Sequence, residues 1–483
     1  YRQPGSSFKP FVYAQAFYNR YGPASVVFDT ETNFKGAFPK DFDGKFRGPM
    51  TIRTALGQSR NIPAIKAYFL AGEQKPIIEL AMRMGINFID PNLDFGWPLA
   101  IGAGEVRLMD MVSAFGVFAN SGVRHKPLSV LKIQNARGDI LEEWKPDEGL
   151  PVLDPQIAYL INSILSDQSV RLGKNLTIPD HVNAAKTGTS NRTVTKPNGD
   201  KTYYPHDLWA LGYTTNLVAG VWTGNNRDSD GNLALNADGY NVSAPIWKAF
   251  MVEALKDTPS EDFPMPEGIK KVTVAAASGK LPGSATPSNQ TRTDIFASFS
   301  VPTEIDNSYV QVEIDSFCDK LATELTPPEM RRKVTYVNQH DIAPLPEWGK
   351  GAREWLKGRF GEVDAENNTG TIIGPPPTET CPNRSAENYA KKPVISIINP
   401  PNGALVNVAS RVNVAVQINA PNGISKVEFY LDDEFKYSTV TPPYDGLIRL
   451  PRGESENTKH LITAKIFDQA GFIGSANIQV TTF

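Results

Sequence analysis

Ser6 and Lys9 stand three apart in Gly5-Ser6-Ser7-Phe8-Lys9-Pro10, directly before an apolar, helix-competent run of Phe11, Val12, Ala14, Ala16 and Phe17. If Ser6 opens that helix, positions i and i+3 share one face, and a hydroxyl meets an amine at the positive end of the helix dipole. Pro10 then falls in the first turn, where a missing N–H costs least. This is the arrangement of a serine nucleophile with a lysine as its base. The same spacing recurs at Ser129 and Lys132, but that segment alternates like a strand, which sends the two side chains to opposite faces.

Two further motifs, in a fixed order, set Ser6 apart from this decoy. Ser59-Arg60-Asn61 comes next, then Lys186-Thr187-Gly188-Thr189. The Ser-x-Asn pattern is cheap, since it also occurs at Ser455–Asn457 and Ser475–Asn477. Lys186-Thr187-Gly188 is the single Lys-[Ser/Thr]-Gly in the chain and lies on an apparent strand. In this order the three motifs are those of penicillin-binding proteins and serine β-lactamases.

The chain resembles the penicillin-binding proteins, in particular the class A (bifunctional) kind. Longer phrases carry the resemblance: Arg2-Gln3-Pro4-Gly5 before the serine, Gly48-Pro49-Met50-Thr51-Ile52-Arg53-Thr54-Ala55-Leu56 before Ser59, and Gly102-Ala103-Gly104-Glu105-Val106. Ala114-Phe115-Gly116-Val117-Phe118-Ala119-Asn120-Ser121-Gly122 and Asp207-Leu208-Trp209-Ala210-Leu211-Gly212-Tyr213 extend it across residues 1–256. The resemblance implies a peptidoglycan D,D-transpeptidase, an acyltransferase and antibiotic target that is acylated by β-lactams at Ser6 and needs no cofactor. It also implies a place on the extracytoplasmic face of the bacterial membrane. A D,D-carboxypeptidase and a β-lactam-sensing, wall-binding protein are the alternatives on the same fold. A class A β-lactamase is disfavoured, because no Glu-x-x-Leu-Asn is present to deacylate the enzyme.

Each motif has an expected role. An unperturbed lysine, with a pKa of about 10.4, is too basic to serve at neutral pH. Lys9 therefore needs burial or a second cation, and Lys186 is the candidate cation. Ser59 would bridge the two lysines and relay a proton to the leaving amine. Asn61 would hold the substrate amide and Lys9, while Thr187 and Thr189 would bind the substrate carboxylate with charge from Lys186. The resemblance places the oxyanion hole at the backbone N–H groups of Ser6 and Thr189, with Gly188 between the two threonines.

The elements that must position these residues are legible from periodicity. Thr51 caps a short helix to about Gln58, and a second runs from Pro63 to Phe69. Leu108, Met111, Val112, Phe115 and Phe118 mark a third, and Asp154-Pro155 begins a fourth. Residues 22–50 read as irregular, and Ser129–Gln134 with Ile140–Trp144 as a hairpin. Val182–Ser190, Leu208–Thr214 and Leu217–Thr223 read as strands, with a closing helix over Pro245–Leu255. Residues 1–263 are thus expected to form an α/β transpeptidase domain, a sheet between helices like that of serine β-lactamases. The resemblance places two further strands ahead of the Ser6 helix. The chain, which opens with Tyr1, is accordingly expected to be truncated, without its membrane anchor, glycosyltransferase domain and first strands.

Later segments differ in character. Lys280-Leu281, Thr286-Pro287 and Arg292 return forty residues on as Lys320-Leu321, Thr326-Pro327 and Arg332, which predicts two small β-rich tandem repeats over 264–343. Residues 344–392, with Gly374-Pro375-Pro376-Pro377, read as a linker carrying at most one short helix near Ala352–Arg359. Residues 393–483 alternate in seven short runs and read as an Ig-like or fibronectin-like β-sandwich with a cell-wall or protein partner.

The chain is multidomain at 483 residues, and its net charge of −3 gives no sign of nucleic-acid binding. No apolar run is long enough for a membrane span. Cys318 and Cys381 are equally readable as one bridge or as two free thiols. Asn226-Arg227-Asp228-Ser229-Asp230-Gly231 begins like a calcium loop, but Ala237 stands where a bidentate Glu is required, so no metal is expected. His206, beside Asp207, reads as structural.

Overall fold

A computed structural model describes residues 1–483 except 228–229, 340, 343–344, 346–347, 361–370, 409 and 452–454. Asp228 and Ser229 of the calcium-loop reading, and 361–370 of the expected linker, lie outside the described residues. The chain divides into two compact units. One comprises Tyr1–Tyr309 with Asn338–Glu362, the other Val310–Val337 with Val363–Phe483.

The first unit is built around helix α1 (Lys9–Tyr18), in which Phe11, Val12, Tyr13, Ala14, Ala16 and Phe17 are all fully buried. A helix apolar on every side belongs inside a core. Phe11 packs against Phe115 and Phe118 at ring-centroid distances of 5.9 and 5.5 Å. A ribbon of β1 (Val26–Asp29) and β2 (Gly48–Thr51) follows, so the stretch 22–50 expected to be irregular contains two paired strands. Next come α2 (Ile52–Gly57), α3 (Asn61–Leu70), α4 (Gln74–Arg83), α5 (Leu108–Ala119) and α6 (Pro155–Leu165). The Thr51 hydroxyl accepts from Thr54 N and the Asp154 carboxylate from Gln156 N, so both predicted helix starts are capped as read.

The sheet has the order β3-β4-β5, with β3 Ala184–Thr195, β4 Lys201–Tyr213 and β5 Val218–Gly224, all antiparallel. Alternation along β4 explains the layers. Trp209, Leu211 and Tyr213 join the core around α1 and α5, while Ala210 joins a second core with Trp247, Met251 and Leu255 of α7 (Ala244–Leu255). Helices thus cover both faces. The β3–β4 hairpin runs beyond Ser190 through Asn191–Thr195, a stretch too polar to be read as a strand.

The two tandem repeats share their internal hydrogen bonds at an offset of forty. Ala276 N donates to Gln290 O as Ser316 N does to Met330 O, and Gly279 N to Ala275 O as Asp319 N does to Asp315 O. Leu281 pairs with Ile305 in the first copy and Leu321 with Thr380 in the second, both in parallel. The second copy therefore takes its closing segment from far along the chain. Residues 344–392 are accordingly more than a linker. They include a helix, α8 (Trp348–Phe360), with Trp348, Ala352 and Leu356 buried in the first unit. They also include Cys381, bridged to Cys318.

The C-terminal sandwich has a three-stranded sheet (Val394–Asn399, Arg411–Asn419, Gly446–Arg449) facing a five-stranded one. Ala404–Val406, absent from the seven predicted strands, pairs in parallel with the last strand. Its core, including Val414, Val427, Phe429, Ile448, Ile462 and Val480, is drawn wholly from this segment. Residues 393–483 expressed alone should therefore melt in one cooperative step, read by circular dichroism; a disordered spectrum would refute this boundary.

Candidate active site

Ser6 lies in a 3-10 turn, Gly5–Phe8, and Lys9 is the first residue of α1, its N–H donating to Ser6 O. The serine thus sits one turn ahead of the α-helix rather than at its first residue. Gly5 has φ +54°, and a β-carbon there would lie 2.8 Å from Thr189 N. One on Gly188 would collide with Pro4 O. Glycine at both places lets β3 lie directly against the nucleophile turn, bringing the Ser6 and Thr189 backbones together. The segment is tied down further by Trp209 Nε1 donating to Gln3 O at 2.8 Å and by pairing of Arg2 with Val106.

Ser59-Arg60-Asn61 forms the turn between α2 and α3, with Ser59 at φ +58°, an uncommon conformation for a residue with a side chain. The turn grips Lys9, whose Nζ donates to Ser59 O at 2.6 Å, Arg60 O at 3.1 Å and Asn61 Oδ1 at 2.8 Å. Lys186 Nζ donates to Ser59 Oγ at 2.7 Å and to Thr187 O at 2.9 Å. Ser59 thus joins the two lysines, its backbone bonded to one and its hydroxyl to the other. Thr189 Oγ1 accepts from Gly239 N, which leaves its proton to donate.

Burial brings the Lys9 amine down to about 7, with Arg60 adding to the fall while Asp41 and Asp29 oppose it. Lys186 is held well below the ordinary lysine range, by burial first and then by the Lys9 charge. Arg60 is thus a further cation acting on Lys9, beside the Lys186 to which the sequence pointed. Among the described residues no hydrogen bond joins Ser6 Oγ to Lys9 or Ser59. Such contacts are often long before substrate binds.

The structure brings together Ser6, Lys9, Ser59, Asn61, Lys186, Thr187, Gly188 and Thr189. It also adds residues that sequence reasoning passed over. Arg60 is fully buried, donating to Asp29 Oδ2 at 2.9 Å, to Asp43 Oδ2 at 3.0 Å and to Lys45 O. Asp41 accepts from Asn61 N. Arg60 was in view as the middle of Ser-x-Asn, a place that the motif leaves open. Asp207 is buried and accepts from Ser190 Oγ at 2.6 Å and Trp222 Nε1 at 3.1 Å, with His206 Nδ1 at 3.2 Å.

Three motifs gathered at the β3 edge of a sheet with helices on both faces define the fold shared by penicillin-binding proteins and serine β-lactamases. Residues 93–252 match the penicillin binding protein transpeptidase domain, 265–311 the penicillin-binding protein 1A C-terminal domain, and 393–464 the bacterial Ig domain. The first match includes Lys186–Thr189; Ser6, Lys9, Ser59 and Asn61 precede it.

The chain is 31% identical over 297 residues to penicillin-binding protein 1A of Rickettsia conorii, covering 58% of this chain and 37% of that protein. It is 28% identical over 289 residues to penicillin-binding protein 2D of Bacillus subtilis, covering 58% and 40%. It thus spans about two fifths of the length of these curated relatives. The crystal structure of penicillin-binding protein 1A from Haemophilus influenzae aligns with a TM-score of 0.54 and 26% identity, over 63% of this chain and 49% of that one. This chain carries a penicillin-binding protein transpeptidase domain, followed by a 1A-type C-terminal domain and a bacterial Ig domain.

Proposed function

We propose that this chain catalyses peptidoglycan D,D-transpeptidation through an acyl-enzyme on Ser6. The observation that carries this reading is the Lys9–Ser59–Lys186 network beside the Ser6 turn. Ser6 Oγ attacks the carbonyl of the penultimate D-Ala of a stem peptide, and its proton passes to neutral Lys9. Ser59, held by Lys186, relays that proton from Lys9 to the departing D-Ala amine, and a second strand's amine then takes the acyl group and gives up a proton to neutral Lys9. Thr187 and Thr189 bind the terminal carboxylate. The N–H groups of Ser6 and Thr189 stabilise the oxyanion, usually the largest single contribution in acyl transfer. A β-lactam acylates the same serine.

The Cys318–Cys381 bridge supports a location outside the cytoplasm, since disulfides persist where the medium is oxidising. No helix among the described residues is long and apolar enough to cross a membrane. We place the chain at the outer face of the cell membrane, with the Ig domain offering a surface to the wall or to a protein.

The test is turnover of a stem pentapeptide ending in D-Ala-D-Ala with an amine acceptor. D-Ala release should match transfer product mole for mole. Release without transfer would make the protein a carboxypeptidase. Acylation by penicillin without either would make it a sensor.

A further inference from the structure

Behind the lysine base lies a group of charges for which the transfer reaction gives no role. Asp29 and Asp41 are both buried, and Arg60 Nη2 reaches an oxygen of each, at 2.9 Å to Asp29 and 3.3 Å to Asp41. Two carboxylates held that close to one nitrogen, away from water, cannot both remain ionised without a large cost. Asp43 takes another N–H of the same guanidinium, so three carboxyls face one arginine. Asp29 Oδ1 and Asp41 Oδ2 make no other hydrogen bond among the described residues. A proton between the carboxyls would satisfy both.

We propose that Asp29 and Asp41 are positioning residues for the lysine base, sharing a single proton and setting, with Arg60, the turn and the charge that Lys9 meets. This rests on the reading of Lys9 as the base. Asp41 accepts from Asn61 N, and Arg60 fills the space beneath the turn; all three acceptors of Lys9 belong to that turn. The pair thus carries one negative charge toward Lys9. The other groups facing Lys9 are Arg60 and Lys186. Those facing Asp29 are Arg60, the Arg47 N–H at 3.1 Å, Tyr13, and Lys66, itself paired with Asp341. The Asp29 carboxyl is held above the ordinary range, by burial first and then by Asp41, in keeping with a proton retained at neutral pH.

The experiment compares Asp29→Asn, Asp41→Asn and the double variant. An asparagine mimics the protonated member of the pair, donor included, so each single variant keeps one negative charge. Each should still acylate fluorescent penicillin, with the acidic limb of its pH profile unmoved. The double variant removes the charge, and its limb should move down by roughly one pH unit, the scale on which a near carboxylate acts. A single variant whose limb moves as far as that of the double would overturn the proposal, as would rates lowered at every pH with no limb displaced in any variant. Infrared spectroscopy decides the shared proton whether or not penicillin reacts. Wild type at pH 7 should show a protonated-carboxyl band that both single variants lose, and its absence from wild type would overturn the proposal. No penicillin labelling of folded wild type would instead count against the transpeptidase reading.

Discussion

Ser6→Ala should abolish labelling by fluorescent penicillin, lowering the acylation rate by ~10³-fold or more, since loss of a nucleophile removes the covalent step outright. The fold should survive, because Ser6 is only half-buried and its hydroxyl makes no hydrogen bond among the described residues. Neighbouring Ser7 differs. It is fully buried with Oγ donating to Pro4 O at 2.7 Å, so it holds the turn rather than meeting substrate. Ser129→Ala is the matched control, as its Ser-x-x-Lys spacing lies on the approach to an exposed hairpin strand, Lys132–Gln134. Gel fluorescence with a thermal melt of each variant reads the result. Labelling that survives in Ser6→Ala and vanishes in Ser129→Ala would mean that the wrong serine had been chosen.

Acylation should rise with pH through about 7, because Lys9 must be neutral to take the serine proton and burial places its titration there. The sign is fixed by the role: below that pH the amine is already protonated and cannot accept. Lys9→Arg keeps a permanent charge, so its profile should lose this limb and lie ~10²–10⁴-fold lower, the usual worth of a general base. Lys186→Arg keeps a cation beside Ser59 Oγ and should retain both the limb and measurable acylation. Stopped-flow acylation across pH 5–9 separates the two. Equal loss in both variants, with the same profile, would sink the division of labour between the lysines.

The residues of the candidate site were legible in the sequence because each motif is local. Three residues on one turn or strand bring their own geometry, so Ser6 with Lys9, Ser59 with Asn61 and Lys186 with Thr187 needed only to be found in order. The helices were legible where apolar spacing and a cap coincide, as at Thr51 and Asp154. Arg60, Asp29 and Asp41 were not, because their meaning arises only when β1, the loop before β2 and the α2–α3 turn converge; no periodicity records that. The outer half of the β3–β4 hairpin was missed for another reason. Asn191–Thr195 alternates only between exposed and half-buried residues, and its half-buried face is Arg192 and Val194, so apolar content does not mark it. The second repeat hid its closing segment, since a pairing between Leu321 and Thr380 leaves no local trace.

The Cys318–Cys381 bridge, spanning sixty-three positions, closes a ring that includes α8 and the whole of Asn338–Glu362. A tensile load applied at the C-terminal sandwich reaches Cys381 and crosses the sulfurs to Cys318, bypassing every residue between. A single cleavage inside the ring releases nothing, because the two ends remain one covalent body until the bridge is reduced.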